Sequence, residues 1–255
     1  MVKGLDIFIE HFENFTDQYI LIGGGACDVQ MRNKGLPFRT TKDLDIVLIV
    51  EALSDEFVNH FWRFIKDGEY AIAQVGDKKT FYRFNKPMAE GFPVLIELFS
   101  RNPNVIKEVK EIYLTDIPTG EEASSLSAIL LDDDYYQFTL SNSEVIGGVR
   151  VAGDVALISL KAKAFLNNLK RSQDGQTVQE ADIVKHKNDI IRLTATLDPG
   201  KQVEIPELIK QDLIAYIKFI EEFGVDIKNV LKNQGIQNLS TDLIIEQLRK
   251  TFSIE

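Results

Sequence analysis

The sequence changes character near residue 150, and this change limits the folds that the chain can adopt. Before residue 150, short runs rich in Val, Ile, Phe and Tyr alternate with segments of helical periodicity. After it, apolar residues recur almost throughout at helical spacing. We therefore expect an α+β protein, with a mixed sheet and flanking helices in residues 1–150 and a helical domain in residues 151–255.

The same periodicity predicts individual elements. Strands are predicted at Tyr19–Ile22, Asp43–Val50, Tyr70–Gln74, Thr80–Phe84 and Val94–Phe99, with weaker ones around Ile112, Tyr136 and Val149. Helices are predicted at Leu5–Phe15, from about Ala26, around Phe57–Ile65, at Val155–Lys170, Val178–Leu197 and Ile205–Phe223, and as a shorter pair near the C-terminus.

Charge and cysteine content exclude several classes of protein. The chain carries 29 Lys and Arg against 39 Asp and Glu, a net charge of −10, which argues against tight nonspecific binding to nucleic acid. A local basic patch could still bind phosphates. Cys27 is the only cysteine, which rules out an intramolecular disulfide and a cysteine-based zinc cluster. No apolar run approaches the roughly 18 residues of a membrane helix, and Met1–Asp6 lacks the apolar core of a signal peptide. We therefore expect a cytoplasmic protein with no membrane partner.

Two aspartates stand where a strand would not ordinarily place them. Asp43 and Asp45 open the apolar strand that continues through Leu48, although Asp is disfavoured in strands. Side chains alternate along a strand, so both carboxylates point to one side, while Leu44, Ile46 and Leu48 are expected to face the core. Neighbouring carboxylates repel each other, and a divalent cation such as Mg²⁺ relieves that repulsion. An isolated pair of this kind is more often a solvated strand entrance.

Three consecutive glycines strengthen the interpretation of the aspartates as a ligand site. Gly23, Gly24 and Gly25 lie between a predicted strand and a predicted helix. Glycines there allow the backbone to approach a ligand closely, and a helix N-terminus offers amides to phosphate. By themselves they could equally form a tight turn. The sequence contains neither a P-loop nor a dinucleotide-binding fingerprint.

The string Leu21-Ile22-Gly23-Gly24-Gly25-Ala26, followed by Arg39-Thr40-Thr41-Lys42-Asp43-Leu44-Asp45, resembles the DNA polymerase β-like nucleotidyltransferase superfamily. More narrowly, it resembles the AbiEii-type branch of abortive-infection and toxin proteins. The resemblance implies a nucleotidyltransferase-type sheet and two Mg²⁺ ions held by Asp43 and Asp45. It also implies that the segment with Arg39, Thr41 and Lys42, together with the glycines, contacts a nucleoside triphosphate. Gly25 stands where the family often has Ser.

The family completes its metal site with a third carboxylate on a neighbouring strand. Glu97 is the best candidate, because alternation along Val94–Phe99 places it opposite the core-facing Ile96 and Leu98. Glu97 would then be a metal ligand and a base for the acceptor hydroxyl. A rival source is the run 132–134 of three aspartates, although such a run more often marks a solvated turn, and Glu97 itself could instead face water.

The resemblance extends into the helical half, where the family places a lysine near the triphosphate. Lys161 and Lys163 are candidates that point in different directions on a helix, and the apolar stripe favours Lys161. Further on, Lys185 and Asp189 belong to a segment similar to the family's Lys-Asp-x-x-Asp-Ile motif, with His186 in place of the first Asp. They are expected to share a helix face, so that Asp189 holds a lysine against the triphosphate and can be replaced with little change in melting temperature.

Taken together, these motifs predict a nucleotidyltransferase that transfers a nucleoside monophosphate to an acceptor hydroxyl. The toxin branch implies RNA, particularly tRNA, as acceptor and an antitoxin protein as partner. The segment from Arg150 to Arg192 fits RNA slightly better, since it holds eight basic and five acidic residues. The acidic net charge fits a small aminoglycoside-like acceptor slightly better. A third hypothesis, a degenerate member that binds nucleotide without catalysis, is opposed by the intact aspartate pair.

Overall fold

A seven-stranded mixed sheet forms the centre of the protein. The computed structural model describes residues 2–75, 78–99, 129–130 and 132–255, with only the backbone for residues 72–75 and 78–82. The strands are β1 (Tyr19–Ile22), β2 (Asp43–Leu48), β3 (Ala71–Val75), β4 (Lys78–Asn85), β5 (Leu95–Phe99), β6 (Ser143–Ile146) and β7 (Val149–Ala152). They lie in the order β3-β4-β5-β2-β1-β7-β6. The pairs β2–β5 and β1–β7 are parallel, and the other neighbours are antiparallel. The predicted α+β class with a mixed sheet is confirmed.

Nine described helices accompany the sheet, and five of them follow it in the sequence. They are α1 (Leu5–Phe12), α2 (Gly23–Asn33), α3 (Asp55–Asp67), α4 (Asp133–Ser141), α5 (Asp154–Gln173), α6 (Glu180–Thr194), α7 (Glu207–Phe223), α8 (Ile227–Leu231) and α9 (Thr241–Thr251). The described part of the chain holds no helix with both the length and the apolar character needed to cross a bilayer.

Both rows of side chains on β2 are buried, which the sequence did not lead us to expect. Leu44 and Ile46 face the core as predicted, but Val47 is also only 1% exposed and Asp45 only 7%. A strand with a parallel neighbour is typically covered on both faces, and β2 has one in β5. The carboxylate of Asp45 is therefore held in a largely enclosed environment rather than at an open strand entrance.

Aromatic side chains fasten α1 and α3 to the sheet. The Phe12 ring packs edge-on against Phe64 of α3 at 5.2 Å, and Phe8 packs edge-on against Tyr19 of β1 at 5.3 Å. Phe61 of α3 reaches Phe84 of β4 at 5.6 Å. Such pairs add to the stabilisation from burial itself, so this end of the sheet is a rigid support for β1 and β2.

The predicted domain border at residue 150 falls inside β7. The chain leaves β7 at Ala152 and enters α5 at Asp154, so the sheet continues directly into the helical half. The buried apolar residues of both halves, from Val2 to Ile254, form one continuous cluster. The sheet and the helices after it thus share a single core.

Three local predictions need correction, and one lies outside the described residues. The strand predicted around Tyr136 is wrong, because this residue lies in α4 and its aromatic side chain is buried at 1% exposure. The helix predicted from Ala26 begins at Gly23, so the glycines are its first turn. Strand β6 was not predicted. The strand predicted around Ile112 lies outside the described residues.

Candidate active site

Three carboxylates lie on β2 and β5, which are hydrogen-bonded neighbours in the sheet. Strands β2 and β5 run parallel, and their register places Asp45 beside Glu97. Neighbouring strands are about 4.8 Å apart, so paired side chains on the same face are in reach of each other. Asp43 precedes Asp45 by two residues and points to the same face. Asp43, Asp45 and Glu97, which we call the carboxylate group, all line one cleft of about 400 Å³.

The carboxylate group is enclosed and its members repel one another. Burial, together with the charges of Glu97 and Asp43, raises the pKa of Asp45 to about 7. Burial also raises the pKa of Glu97, and Asp43 adds to this, while Arg83 opposes it. The register of β2 and β5 places Asp45 beside Glu97, so the two carboxylates repel each other across the pair of strands. A bound cation would balance this negative charge.

The glycines bring a helix N-terminus to the same place. Gly23 has φ = 65°, and a Cβ there would overlap the Asp45 carboxylate. A Cβ at Gly24 would lie 2.7 Å from Thr41 Oγ1 and 3.4 Å from the Arg39 guanidinium. The N-cap residue of α2, Ile22, makes no side-chain capping hydrogen bond, and the first-turn amides of a helix can bind an anion. Both glycines line the cleft, and only glycine fits at either position.

A second charged group is centred on a buried aspartate, and two of its side chains line the same cleft. The Asp189 carboxylate, fully buried on α6, accepts hydrogen bonds from Arg39 Nη2 at 2.7 Å and Nε at 3.0 Å. It also accepts from Lys161 Nζ at 2.9 Å and Arg192 Nη1 at 3.0 Å. Burial favours the neutral acid, but the charges of Lys161 and Arg39 hold the pKa of Asp189 well below its usual range. We call these four residues the Asp189 cluster.

The Asp189 cluster presents positive charge to the cleft. It contains three cations and one carboxylate, and both Lys161 and Arg39 line the cleft. Lys161 is 3% exposed, and the neighbouring Asp189 raises the pKa of its ammonium against the effect of burial. These two side chains are therefore charged and fixed in place before any ligand arrives.

Two further residues of α6, Lys185 and His186, line the cleft. Lys185 pairs with Asp182 at 2.9 Å and does not contact Asp189, so the expected lysine partner of Asp189 is Lys161 alone. Both members of the Lys185–Asp182 pair are well exposed. His186 also lines the cleft. Burial, and then the charges of Lys161 and Lys185, lower the pKa of His186 to about 3, so its ring is neutral at pH 7.

The structure separates several predicted residues from the cleft. Lys42 is exposed and lies outside the cleft lining. Lys163 instead binds Asp212 of α7 at 2.9 Å. Gly25 is buried and packs beside Leu44 rather than lining the cleft. The rival carboxylates at 132–134 belong to the start of α4, where the Asp132 side chain accepts hydrogen bonds from the amides of residues 134 and 135.

Sequence reasoning missed one residue of the Asp189 cluster, Arg192, and three residues that line the cleft. Arg192 follows Asp189 by three residues, which places it on the same helix face and could have indicated the contact. Arg83 lies 3.5 Å from Glu97 because β4 and β5 pair in that register, and no local signal marks it. Asn168 and Arg171 extend the α5 face that begins at Lys161, and they too line the cleft.

The carboxylate group supplies the oxygen donors that Mg²⁺ prefers. In residues 2–75, 78–99, 129–130 and 132–255, no three or more His, Cys, Asp or Glu side chains are already arranged around a common metal position. The chemistry of the donors nevertheless fits, since burial and neighbouring carboxylates raise the pKa of both Asp45 and Glu97, which marks uncompensated negative charge. Asp43, Asp45 and Glu97 are the residues that would hold the ion.

Comparisons of the chain with protein-family models, with curated proteins and with solved structures found no match. The resemblance to nucleotidyltransferases therefore stays a prediction from motifs, and the support for a function comes from the geometry of the cleft.

Proposed function

We propose that the protein is a Mg²⁺-dependent nucleotidyltransferase, which transfers a nucleoside monophosphate from a nucleoside triphosphate to an acceptor hydroxyl. One observation carries the proposal: the carboxylate group, the first two glycines of α2, and the Arg39 and Lys161 side chains of the Asp189 cluster line the same cleft. A site for anionic phosphate and a site for a hard cation are thus adjacent. In this proposal the sheet and the helices form a nucleotidyltransferase-type arrangement, in which the helical half closes the nucleotide cleft.

The phosphate end of the donor is assigned to the glycine turn and the two fixed cations. The amides of Gly23 and Gly24 lie in the first turn of α2 and would donate hydrogen bonds to phosphate oxygens. Arg39 and Lys161 lie beside them, already oriented by Asp189. Charged donors that are placed before binding stabilise developing negative charge without a reorganisation cost. Thr41, which faces Gly24, supplies a hydroxyl at the same position.

The reacting end is assigned to the carboxylate group. Mg²⁺, when bound, supplies charge to the α-phosphate and acidifies the acceptor hydroxyl. Asp43 and Asp45 hold and orient that charge. The acceptor oxygen forms a bond to the α-phosphorus, the α–β bridging bond breaks, and pyrophosphate leaves. The hydroxyl proton passes to Glu97, whose pKa is raised above its ordinary value by burial, so that the carboxylate is a stronger base.

RNA, with tRNA as the leading candidate, is the acceptor we propose, acting in a toxin-like role with an antitoxin as partner. The support is local charge: the cleft is edged by Arg83, Arg171 and Lys185, whose partly exposed side chains can meet a phosphodiester backbone. This local excess of cations stands against an acidic whole chain.

The test is to incubate the protein with each α-labelled nucleoside triphosphate, Mg²⁺ and total RNA, and to follow the label. Label in RNA, dependent on Mg²⁺, supports the proposal. Label in an aminoglycoside added in parallel, but not in RNA, would keep the reaction and replace the acceptor. Triphosphate binding without transfer to either would instead support a degenerate, nucleotide-binding member.

A further inference from the structure

One end of the cleft contains a polar side chain that the proposed chemistry does not use. Asn168 of α5 is 7% exposed and lines the cleft. Its amide makes no hydrogen bond with any residue in the described ranges. The amide atoms of Asn168 are not among the fully enclosed unpartnered atoms of the described residues, so they are open to a group that a ligand brings into the cleft.

The position of Asn168 relative to Lys161 indicates which part of a ligand it meets. The two residues are seven apart on one helix and both line the cleft. Seven residues are about two helical turns, a rise of about 10 Å along the axis. Lys161 lies beside the proposed phosphate site, so Asn168 lies at the distance of a nucleotide's base end rather than of its phosphates.

His186 lies on the helix opposite and shares this uncharged character. Its Nδ1 is buried without a hydrogen-bond partner in the described part of the chain. The ring is neutral at pH 7, because burial and then Lys161 and Lys185 disfavour the protonated form. Asn168 and His186 are thus uncharged hydrogen-bonding side chains in a cleft lined mainly by charged ones. Uncharged groups with both donors and acceptors suit the edge of a base better than a phosphate.

We propose that Asn168, together with His186, binds the nucleobase of the donor triphosphate and sets the base preference of the enzyme. This inference rests on the proposed function, since it assigns the base end of the same substrate. The four nucleoside triphosphates carry the same phosphates and differ in the base. Selectivity among them therefore depends on side chains that contact the base. The Asn168 amide offers one acceptor and two donor hydrogens, which can pair with adjacent acceptor and donor atoms of a base edge.

The test measures binding without turnover. Wild-type protein with Mg²⁺ is titrated calorimetrically with the α,β-methylene analogues of ATP, GTP, CTP and UTP, whose bridging bond does not break. We expect one analogue to bind about tenfold more tightly than the weakest, as for one good bidentate base contact. In Asn168→Ala this ratio falls to near one. Asn167→Ala is the matched control, because Asn167 is the adjacent amide and lies outside the cleft lining.

The outcomes separate this inference from the proposed function. If no analogue binds the wild type, the proposed function falls and the inference with it. If the analogues bind equally well, or if Asn168→Ala keeps the preference, the base assignment is overturned while the function stands. Loss of preference in both Asn168→Ala and Asn167→Ala would also overturn it. If Asn168→Ala does not fold, His186→Ala decides by the same ratio.

Discussion

The Asp189 cluster and the carboxylate group both place charged side chains in the cleft, but their charges are balanced in opposite ways. The Asp189 cluster surrounds one carboxylate with three cations, so every charge has a partner within 3.0 Å. The carboxylate group gathers three acids, in which burial and mutual repulsion raise the pKa of Asp45, and Arg83 contacts Glu97 at the longer distance of 3.5 Å. The Asp189 cluster keeps two positive charges in excess, which suits an anion, whereas the carboxylate group keeps negative charge in excess, which suits a cation. In the proposed function, the Asp189 cluster would hold the phosphates and the carboxylate group would carry out the reaction.

The largest effect is expected from a substitution in the carboxylate group. Asp45→Asn should lower nucleotide transfer by roughly a thousandfold or more, about 4 kcal/mol of transition-state stabilisation, because the central metal ligand is lost. The rate of label transfer measures it. Asp212→Asn, which removes a carboxylate that pairs with Lys163 outside the cleft, is the control and should retain activity. Full activity in Asp45→Asn would sink the proposed mechanism.

A substitution in the Asp189 cluster should lower the free energy of unfolding. Asp189→Asn is expected to lower the free energy of unfolding by about 3 kcal/mol, because Lys161 would be left buried without its anion. The sequence-based expectation that the melting temperature barely changes is therefore revised, since Asp189 is fully buried. Urea denaturation provides the measurement. Asp182→Asn, in the exposed pair with Lys185, is the matched control and should change little. Equal free energies of unfolding of Asp189→Asn and Asp182→Asn would contradict the buried, stabilising role of Asp189.

A pH series sharpens the comparison in metal-free protein. The folded-state pKa of Asp45 is about 7, above its ordinary value of 3.8, so the folded protein binds this proton more tightly. The resulting stability is present in full below about pH 4 and is lost as the pH rises through about 7. Asp45→Asn should therefore raise the free energy of unfolding at pH 8 by about 2 kcal/mol when Mg²⁺ is chelated.

Adding Mg²⁺ at pH 8 is the internal control for this series. It should stabilise the wild type and leave Asp45→Asn almost unchanged, because the cation replaces the proton only where the full carboxylate group is present. If the free energy of unfolding of the wild type stays constant between pH 5 and pH 8, the pKa of Asp45 is not raised in the folded protein.

The smallest stability effect is expected at Lys185. Lys185→Ala should change the free energy of unfolding by only about 0.3 kcal/mol, because its ion pair with Asp182 is solvent-exposed. Its position in the cleft should still matter for substrate, so KM for the triphosphate rises while kcat changes less. Steady-state kinetics beside urea unfolding give both numbers. A large loss of stability here would mean that Lys185 belongs with the fixed cations.

Residues whose position follows from local periodicity could be predicted from the sequence. Asp43 and Asp45 are placed by strand alternation, Glu97 by alternation on a second strand, and Lys161 by helix register. The pairing of β2 with β5 then brings the three acids together. The role of each in catalysis stays a prediction.

Contacts between distant parts of the chain could not be predicted. Arg39 and Asp189 are 150 residues apart, and their hydrogen bonds depend on how α6 packs against the loop before β2. Some misses had a local signal: Gly147 and Gly148 mark the turn between β6 and β7. Around Tyr136, aromatic residues suggested a strand, but the capping side chain of Asp132 and the packing of α4 favour a helix.

The single core shared by the sheet and the helices has a consequence for motion. To widen the cleft, the helices would have to rotate away from the sheet and expose apolar surface that is now continuous across both halves. Each 200 Å² so exposed costs roughly 5 kcal/mol, which limits a widened state to on the order of one molecule in several thousand. If the protein binds nucleotide as proposed, the ligand would enter a cleft whose width changes little. Amide protons of α5 should accordingly exchange with solvent at the slow rate set by global unfolding.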